Sequence, residues 1–110
     1  MEGLASFGNK RSYDDFKRQI PPATQPLFDL VRKYCLSLGE NVVEDVRMHR
    51  IVFGKSMTFR WFADVEPKKD GIIIKIQKNR KEPPEIFQIK NNQKNPEFMN
   101  KIKNAFEEIR

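Results

Sequence analysis

Asp45, Glu66 and Lys68 have the types and order of a metal-dependent nuclease site. Glu66 and Lys68 are the ends of an acidic-x-Lys triplet whose middle residue is Pro67, and Asp45 lies upstream of it. In such a site, Asp45 and Glu66 would ligate Mg²⁺ while Lys68 stabilises the attacking water or the transition state. However, the triplet is short and common by chance, and a proline cannot donate to the ladder of a central strand. We therefore expect a binding domain rather than an enzyme, with no metal ion and no cofactor.

An acid–base site is a second chemical hypothesis for the same region. His49 and Arg50 begin one predicted strand, and the carboxylates Asp64 and Glu66 lie on a later one. Imidazole and carboxylate groups together can transfer protons. Cross-strand ion pairs of these carboxylates with Arg50 or Lys75 would explain the same residues without any catalysis.

The positive charge of the chain is concentrated in one stretch. The net charge is +6, and residues 67–95 carry eight basic against three acidic residues. A localised excess of Lys and Arg favours an anionic partner, because phosphate contacts gain affinity through counterion release. We expect nucleic acid or another anion to bind along the sheet, with Phe62 as a stacking platform. Lysines that only keep a sheet soluble and prevent edge-to-edge pairing are the alternative. The predicted binding residues are Arg50, Arg60, Lys68, Lys69, Lys75, Lys78, Arg80 and Lys81.

Helix signals appear in the first 40 residues and again at the end of the chain. Ser12 is a suitable N-cap for a short helix that Pro21 and Pro22 end. A longer helix is predicted over residues 24–38, with Thr24 as its cap and Gly39 as its terminator. The lone Cys35 lies on the apolar face of this helix, where we expect an inert, packed thiol. The predicted apolar face consists of Leu27, Leu30, Val31, Tyr34, Cys35 and Leu38.

From Asn41 the apolar residues alternate with a period of two, which predicts strands. Four or five short strands are expected between residues 41 and 90, with Pro67 opening the turn "PKKDG". In the strand over residues 57–66, one set of side chains should face the core: Met57, Phe59, Trp61, Ala63 and Val65. The other set should face away from it: Thr58, Arg60, Phe62, Asp64 and Glu66.

Together these elements predict a single α+β domain over residues 1–110. The sheet would be an antiparallel meander of four to five strands, with the helices 24–38 and 95–109 packed on one face. Residues 1–11 would form a loose N-terminal arm. A sheet covered on one side leaves its other face available, so a protein-interaction or self-association module is the alternative function, favoured if Phe62 and Phe87 are exposed together.

Targeting signals are missing from the sequence as given. No apolar run approaches the ~18 residues of a membrane span. The first residues lack the basic start and apolar block of a signal peptide. We therefore expect a cytoplasmic protein without a membrane partner.

Several sequence features resemble those of a small prokaryotic family of uncharacterised domains. They are Leu38-Gly39, the stretch from Arg50 to Phe53, the pair Phe62-Ala63, and Pro67 to Gly71 followed by the isoleucine-rich strand. Members of the family have been labelled predicted transport proteins in some cases and occur beside nuclease modules in others. The resemblance implies a small α+β fold and brings no set of catalytic residues.

Overall fold

The computed structural model describes residues 12–56, 60–79, 81–92 and 97–109. Five strands form one antiparallel sheet in sequence order, which confirms the predicted α+β meander. The expected N-terminal arm, Met57 to Phe59, Arg80 and the predicted helix start at Asn95 and Pro96 lie outside the described residues. The elements are α1 (Tyr13–Lys17), α2 (Gln25–Ser37), β1 (Val42–Val46), β2 (Ile51–Lys55), β3 (Arg60–Lys68), β4 (Gly71–Ile76), β5 (Glu85–Lys90) and α3 (Glu97–Glu108).

The first two helices begin where the sequence predicts, but one cap works differently. Ser12 caps α1 by accepting a hydrogen bond from the backbone N–H of Asp15 at 3.1 Å. Thr24 precedes α2 without making a side-chain cap, because its hydroxyl is used elsewhere. The buried face of α2 is also rotated from the predicted one. Phe28 is fully buried, whereas Leu30, expected in the core, is 55% exposed.

The core lies between the three helices and one face of the sheet. In β4, Ile72, Ile74 and Ile76 are each at most 1% exposed, as their alternation predicts. The face of α3 that contains Ile102 and Ala105 is likewise buried. Cys35 is fully buried, and burial raises the pKa of its thiol, so the prediction of an inert thiol agrees with its surroundings.

The alternation predicted for β3 is right in its second half and wrong in its first half. Ala63 and Val65 face the core, but Phe62 is also fully buried and forms an edge-to-face contact with Phe106. The cause is a β-bulge, where the pairing with β2 shifts by one residue between Phe53 and Gly54. The extra residue reverses the alternation before it, so Trp61 lies on the face that Phe62 was expected to occupy.

Pro67 lies inside β3 rather than opening the following turn. It pairs with Ile72 of β4, and the turn itself is Lys69 and Asp70. The pairing with β2 ends at Val65, so Pro67 has a ladder partner on only one side. A proline is tolerated there because its missing N–H removes no bond to β2.

Candidate anion-binding surface

The face of the sheet turned away from the helices, here called the outer face, is identified by the pairing register. Residues directly opposite one another in antiparallel strands point to the same side. Asp45, Val52, Asp64, Lys75 and Ile86 form one such row across all five strands. The outer face therefore mixes apolar side chains with charges of both signs.

Two turns rich in basic residues lie at the same end of this sheet. In a meander every strand reverses direction, so the β1–β2 and β3–β4 connections share one end. The first connection spans residues 47–50 and is closed by a hydrogen bond from the N–H of Arg47 to the carbonyl of Arg50 at 2.8 Å. We call this region the basic end. It consists of Arg47, His49, Arg50, Lys68, Lys69 and Lys90.

Thr24 holds the β3–β4 turn against the start of α2. Its side chain is fully buried, and its hydroxyl donates to the carbonyl of Lys68 at 2.8 Å. The same hydroxyl accepts a hydrogen bond from the amide of Asn91 at 3.0 Å, and the backbone N–H of Asn91 donates to the carbonyl of Asp70 at 2.8 Å. A helix start, a turn and the end of β5 are thereby joined, which fixes the backbone that carries the two lysines.

Each carboxylate near the basic end has a cation of its own. Lys68 binds Glu66 at 2.9 Å and Lys90 binds Asp70 at 2.8 Å. On the neighbouring strands the ion pairs are Arg47–Asp45, at 3.0 Å, and Arg50–Asp64, at 3.4 Å.

Two lysines on this side of the molecule lack such a partner. Neither Lys69 nor Lys75 forms an ion pair with a residue in the described ranges. Lys69 is exposed in the turn, and Lys75 lies on the outer face beside Asp64. Positive charge therefore remains at the turn and along β4 after the carboxylates have been paired.

Asp64 is the least exposed of the ion-paired groups on the outer face and at the basic end. Its side chain is 13% exposed. Burial raises the pKa of its carboxyl group above the usual value, although the charges of Arg50 and Lys75 lower it. The Nε atom of Arg50 is buried and has no hydrogen-bond partner, despite the ion pair with Asp64. The Arg50 side chain as a whole is nevertheless 42% exposed, so it remains accessible to an anionic ligand.

The structure does not assemble the nuclease site that the sequence suggested. Glu66 and Lys68 meet in an ion pair, but Asp45 lies two strands away and pairs with Arg47. From the strand spacings, the Cα atoms of Asp45 and Glu66 are about 12 Å apart. Among the described residues, no group of three or more His, Cys, Asp and Glu side chains is placed to hold a metal ion.

The residues of the suggested acid–base site are not brought together either. His49 is exposed in the β1–β2 connection, where it lines a shallow depression of about 220 Å³ with Arg47, Met48 and Arg50. Asp64 is paired with Arg50 and Glu66 with Lys68, which is the ion-pair explanation of these carboxylates.

A family comparison adds to this geometry. The sequence model of the family described as Domain of unknown function (DUF5655) matches residues 13–107. The chain belongs to this family. Its membership confirms the expectation of an uncharacterised domain family. The comparisons with curated proteins and with solved structures gave no significant match.

The remaining predicted binding residues are distributed over different parts of this DUF5655 domain. Arg60 lies opposite Lys55, whose ammonium group sits 4.2 Å from the centre of the Phe106 ring, so Arg60 is on the helix side of the sheet. Lys78 lines an open cleft of about 450 Å³ together with Asn104, Glu107 and Glu108 of α3. Lys81 is exposed in the β4–β5 loop, and Arg80 is outside the described residues. The predicted strip is therefore divided between the two sides of the sheet.

Sequence reasoning missed Arg47, His49 and Trp61 as members of this side of the molecule. The stretch "RMHR", which connects β1 to β2, was a signal for the first two, because a meander places alternate connections at the same end. No local signal pointed to Trp61, since its position depends on the bulge opposite Phe53. In the described part of the chain, no helix is long and apolar enough to cross a membrane.

Proposed function

We propose that this domain is a binding module for nucleic acid, which contacts the basic end and the adjoining outer face through its phosphates. The observation that carries the proposal is the meeting of the two basic turns at one end of the sheet. The fully buried Thr24 supports it by fixing the Lys68–Lys69 turn to α2. A site with a fixed backbone loses less conformational entropy when it binds.

Three cations are best suited to contact phosphate groups. Lys69 and Lys75 have no ion-pair partner in the described ranges, and the side chain of Arg50 is 42% exposed. Three phosphate contacts predict that affinity falls about 20-fold for single strands and about 40-fold for duplex DNA between 50 and 200 mM salt. An apolar or neutral ligand would show no such dependence.

The test is a salt titration with labelled oligonucleotides and two charge-reversal variants. Lys69→Glu and Lys75→Glu should each weaken binding and reduce its dependence on salt. Lys103→Glu is the matched control, because Lys103 is exposed on α3 and forms no ion pair within the described residues. The proposal is overturned if the wild-type protein binds no oligonucleotide at 50 mM salt. Equal weakening by all three variants would show that the net charge, and not this site, determines binding.

A protein-interaction or self-association module is the second candidate. Phe62 and Phe87 do not form the exposed patch that this function was expected to use, because Phe62 is buried and Phe87 packs against the core. Instead, Val43 and Ile86 are 42% and 63% exposed on the outer face, and Met48 is 56% exposed in the β1–β2 connection. Exposed apolar residues beside arginines are typical of the centres of protein interfaces.

Sedimentation velocity separates this candidate from the first. A stable dimer that Ile86→Lys dissociates would support self-association through the outer face. A monomer at all concentrations that still binds oligonucleotide would leave nucleic-acid binding as the supported function.

A further inference from the structure

The β-bulge in β3 determines which aromatic ring reaches the outer face. Phe62 and Ala63 lie opposite the single residue Phe53, and all three are fully buried on the helix side. Trp61 then pairs with Gly54 and points to the other side. Without the extra residue, regular alternation would place Trp61 in the core beside Ala63.

The backbone of β3 at the bulge comes so close to Gly54 that no side chain fits there. A Cβ atom at Gly54 would lie 2.8 Å from the carbonyl oxygen of Arg60 and 3.2 Å from the Cα atom of Trp61. Because Gly54 has no side chain, nothing on β2 stands directly opposite the indole ring. Bulges that re-aim a side chain are found preferentially near functional sites.

Trp61 differs from the other aromatic residues in its surroundings. It is partly exposed and does not belong to the core cluster. Every other aromatic side chain in the described ranges is in that cluster or packed against it. Among the residues that the structure describes, Trp61 is therefore the one aromatic side chain on the outer face, and it is the single tryptophan of the chain.

The indole and the basic end lie at opposite ends of β3. Trp61 and Lys68 are about 20 Å apart along the strand. Lys75 lies between them on the neighbouring strand, opposite Asp64 in the strand register. An extended polyanion lying along β3 and β4 would therefore pass from the cations of the basic end, beside Lys75, to the ring of Trp61.

We infer that the ligand of this surface is single-stranded nucleic acid, with a base stacked on Trp61 and the phosphates bound at the basic end. This inference rests on the function proposed above. An unpaired base can stack on an aromatic side chain, whereas the bases of a duplex are already stacked and paired. Loss of one such contact lowers affinity by about 5-fold to 150-fold.

The fluorescence of the single tryptophan provides a direct test in the unaltered protein. A short oligothymidylate should bind and quench Trp61 emission. Inorganic polyphosphate, which has the charge but no bases, should bind at the basic end without quenching. Duplex DNA of the same length should also leave the emission unchanged and bind more weakly than the single strand.

Three substitutions distinguish the contribution of the ring from that of the charges. Trp61→Leu keeps an apolar side chain without a ring, and it should lower affinity for oligothymidylate by about 5-fold to 150-fold while polyphosphate binding stays the same. Lys69→Glu should weaken the binding of both oligothymidylate and polyphosphate. Trp61→Phe retains a smaller ring, and its affinity for oligothymidylate should lie between those of the wild type and Trp61→Leu.

The outcomes distinguish this inference from the proposed function. If single strands and duplexes bind equally and neither quenches Trp61, the stacking inference is wrong and the phosphate-binding function stands. If no nucleic acid binds at low salt, both are wrong. If Trp61 emission instead changes with protein concentration in the absence of ligand, a second copy of the chain covers the ring, and the inference is overturned.

Discussion

The two faces of the sheet differ in what their residues are used for, and β4 shows this within a few positions. Ile72, Ile74 and Ile76 face the helices and are almost completely buried, whereas Ile73 and Lys75 on the outer face are only partly buried. Burial of the first set stabilises the fold, since each buried aliphatic side chain contributes about 1.5–3 kcal/mol. The outer face contributes less to stability, because its side chains are less completely buried.

The charged groups also differ between the two sides of the sheet, in how completely their hydrogen bonds are satisfied. On the helix side, the guanidinium group of Arg32 lies 3.9 Å from the centre of the Tyr13 ring and binds Glu44 through two hydrogen bonds, at 2.5 and 3.1 Å. The hydroxyl of Tyr13 donates to Asp29, which also binds Lys17 at 2.9 Å. These groups satisfy one another and join α1, α2 and β1. On the outer face, by contrast, the Nε donor of Arg50 is left without an acceptor.

The largest expected effect compares two neighbouring isoleucines of β4. Ile74→Ala removes a fully buried side chain and should lower the free energy of unfolding by about 2–5 kcal/mol, because it leaves a cavity in the core. Ile73→Ala is the matched control and should cost much less, since its side chain is partly exposed on the outer face. Urea unfolding measures both. Equal losses would mean that the outer face is as important for stability as the core.

An intermediate effect is expected from Gly54→Ala, which tests the origin of the difference between the faces. The new Cβ atom would collide with the backbone of Arg60, so the bulge must shift. We expect a loss of about 1–3 kcal/mol in the free energy of unfolding, together with a change in the emission of folded Trp61.

Gly71→Ala serves as the control for the glycine at the bulge. There a Cβ atom would lie 2.0 Å from the carbonyl oxygen of Ile89, far from Trp61. This variant should lose stability without altering the emission of the folded state. If Gly54→Ala behaves in the same way, the bulge does not control the position of the indole.

The smallest effect is a pH dependence of opposite sign for two aspartates. Burial alone raises the pKa of Asp29, but hydrogen bonds from Tyr13 and Lys17 outweigh it and the net pKa is below its usual 3.8. Ionised Asp29 therefore stabilises the fold above pH 3.8, and this contribution is lost as the pH falls through its pKa in the folded state. Burial raises the pKa of Asp64, so its contribution is present below pH 3.8 and is lost as the pH rises through the raised value.

Unfolding of Asp29→Asn and Asp64→Asn across the acidic range measures these contributions. As the pH rises, Asp29→Asn should become less stable relative to the wild type. Asp64→Asn should become more stable relative to it. Parallel curves for the two variants would contradict the opposite shifts.

The sequence predicted much of the fold because most of its signals are local. The period of two gave the strands, and the predicted helices 24–38 and 95–109 correspond to α2 and α3. Prediction of the candidate surface was less successful. Phe62 was expected to be exposed and is buried, and Arg60 was expected beside the other outer cations but lies opposite Lys55 on the helix side. Both errors follow from one extra residue in β3, which a pattern of alternation cannot reveal.

By itself, the sequence determined the order of the elements, the meander and the isoleucines that form the core side of β4. Capping residues, turn residues and alternation act over a few positions, and their preferences do not depend on distant neighbours. Only the tertiary structure decided that the hydroxyl of Thr24 binds the carbonyl of Lys68, that two basic turns share one end of the sheet, and that Trp61 faces outward. Each of these depends on strand pairing or on a contact between residues far apart in the chain, where the cost of a shifted register or an unsatisfied buried group selects the final arrangement.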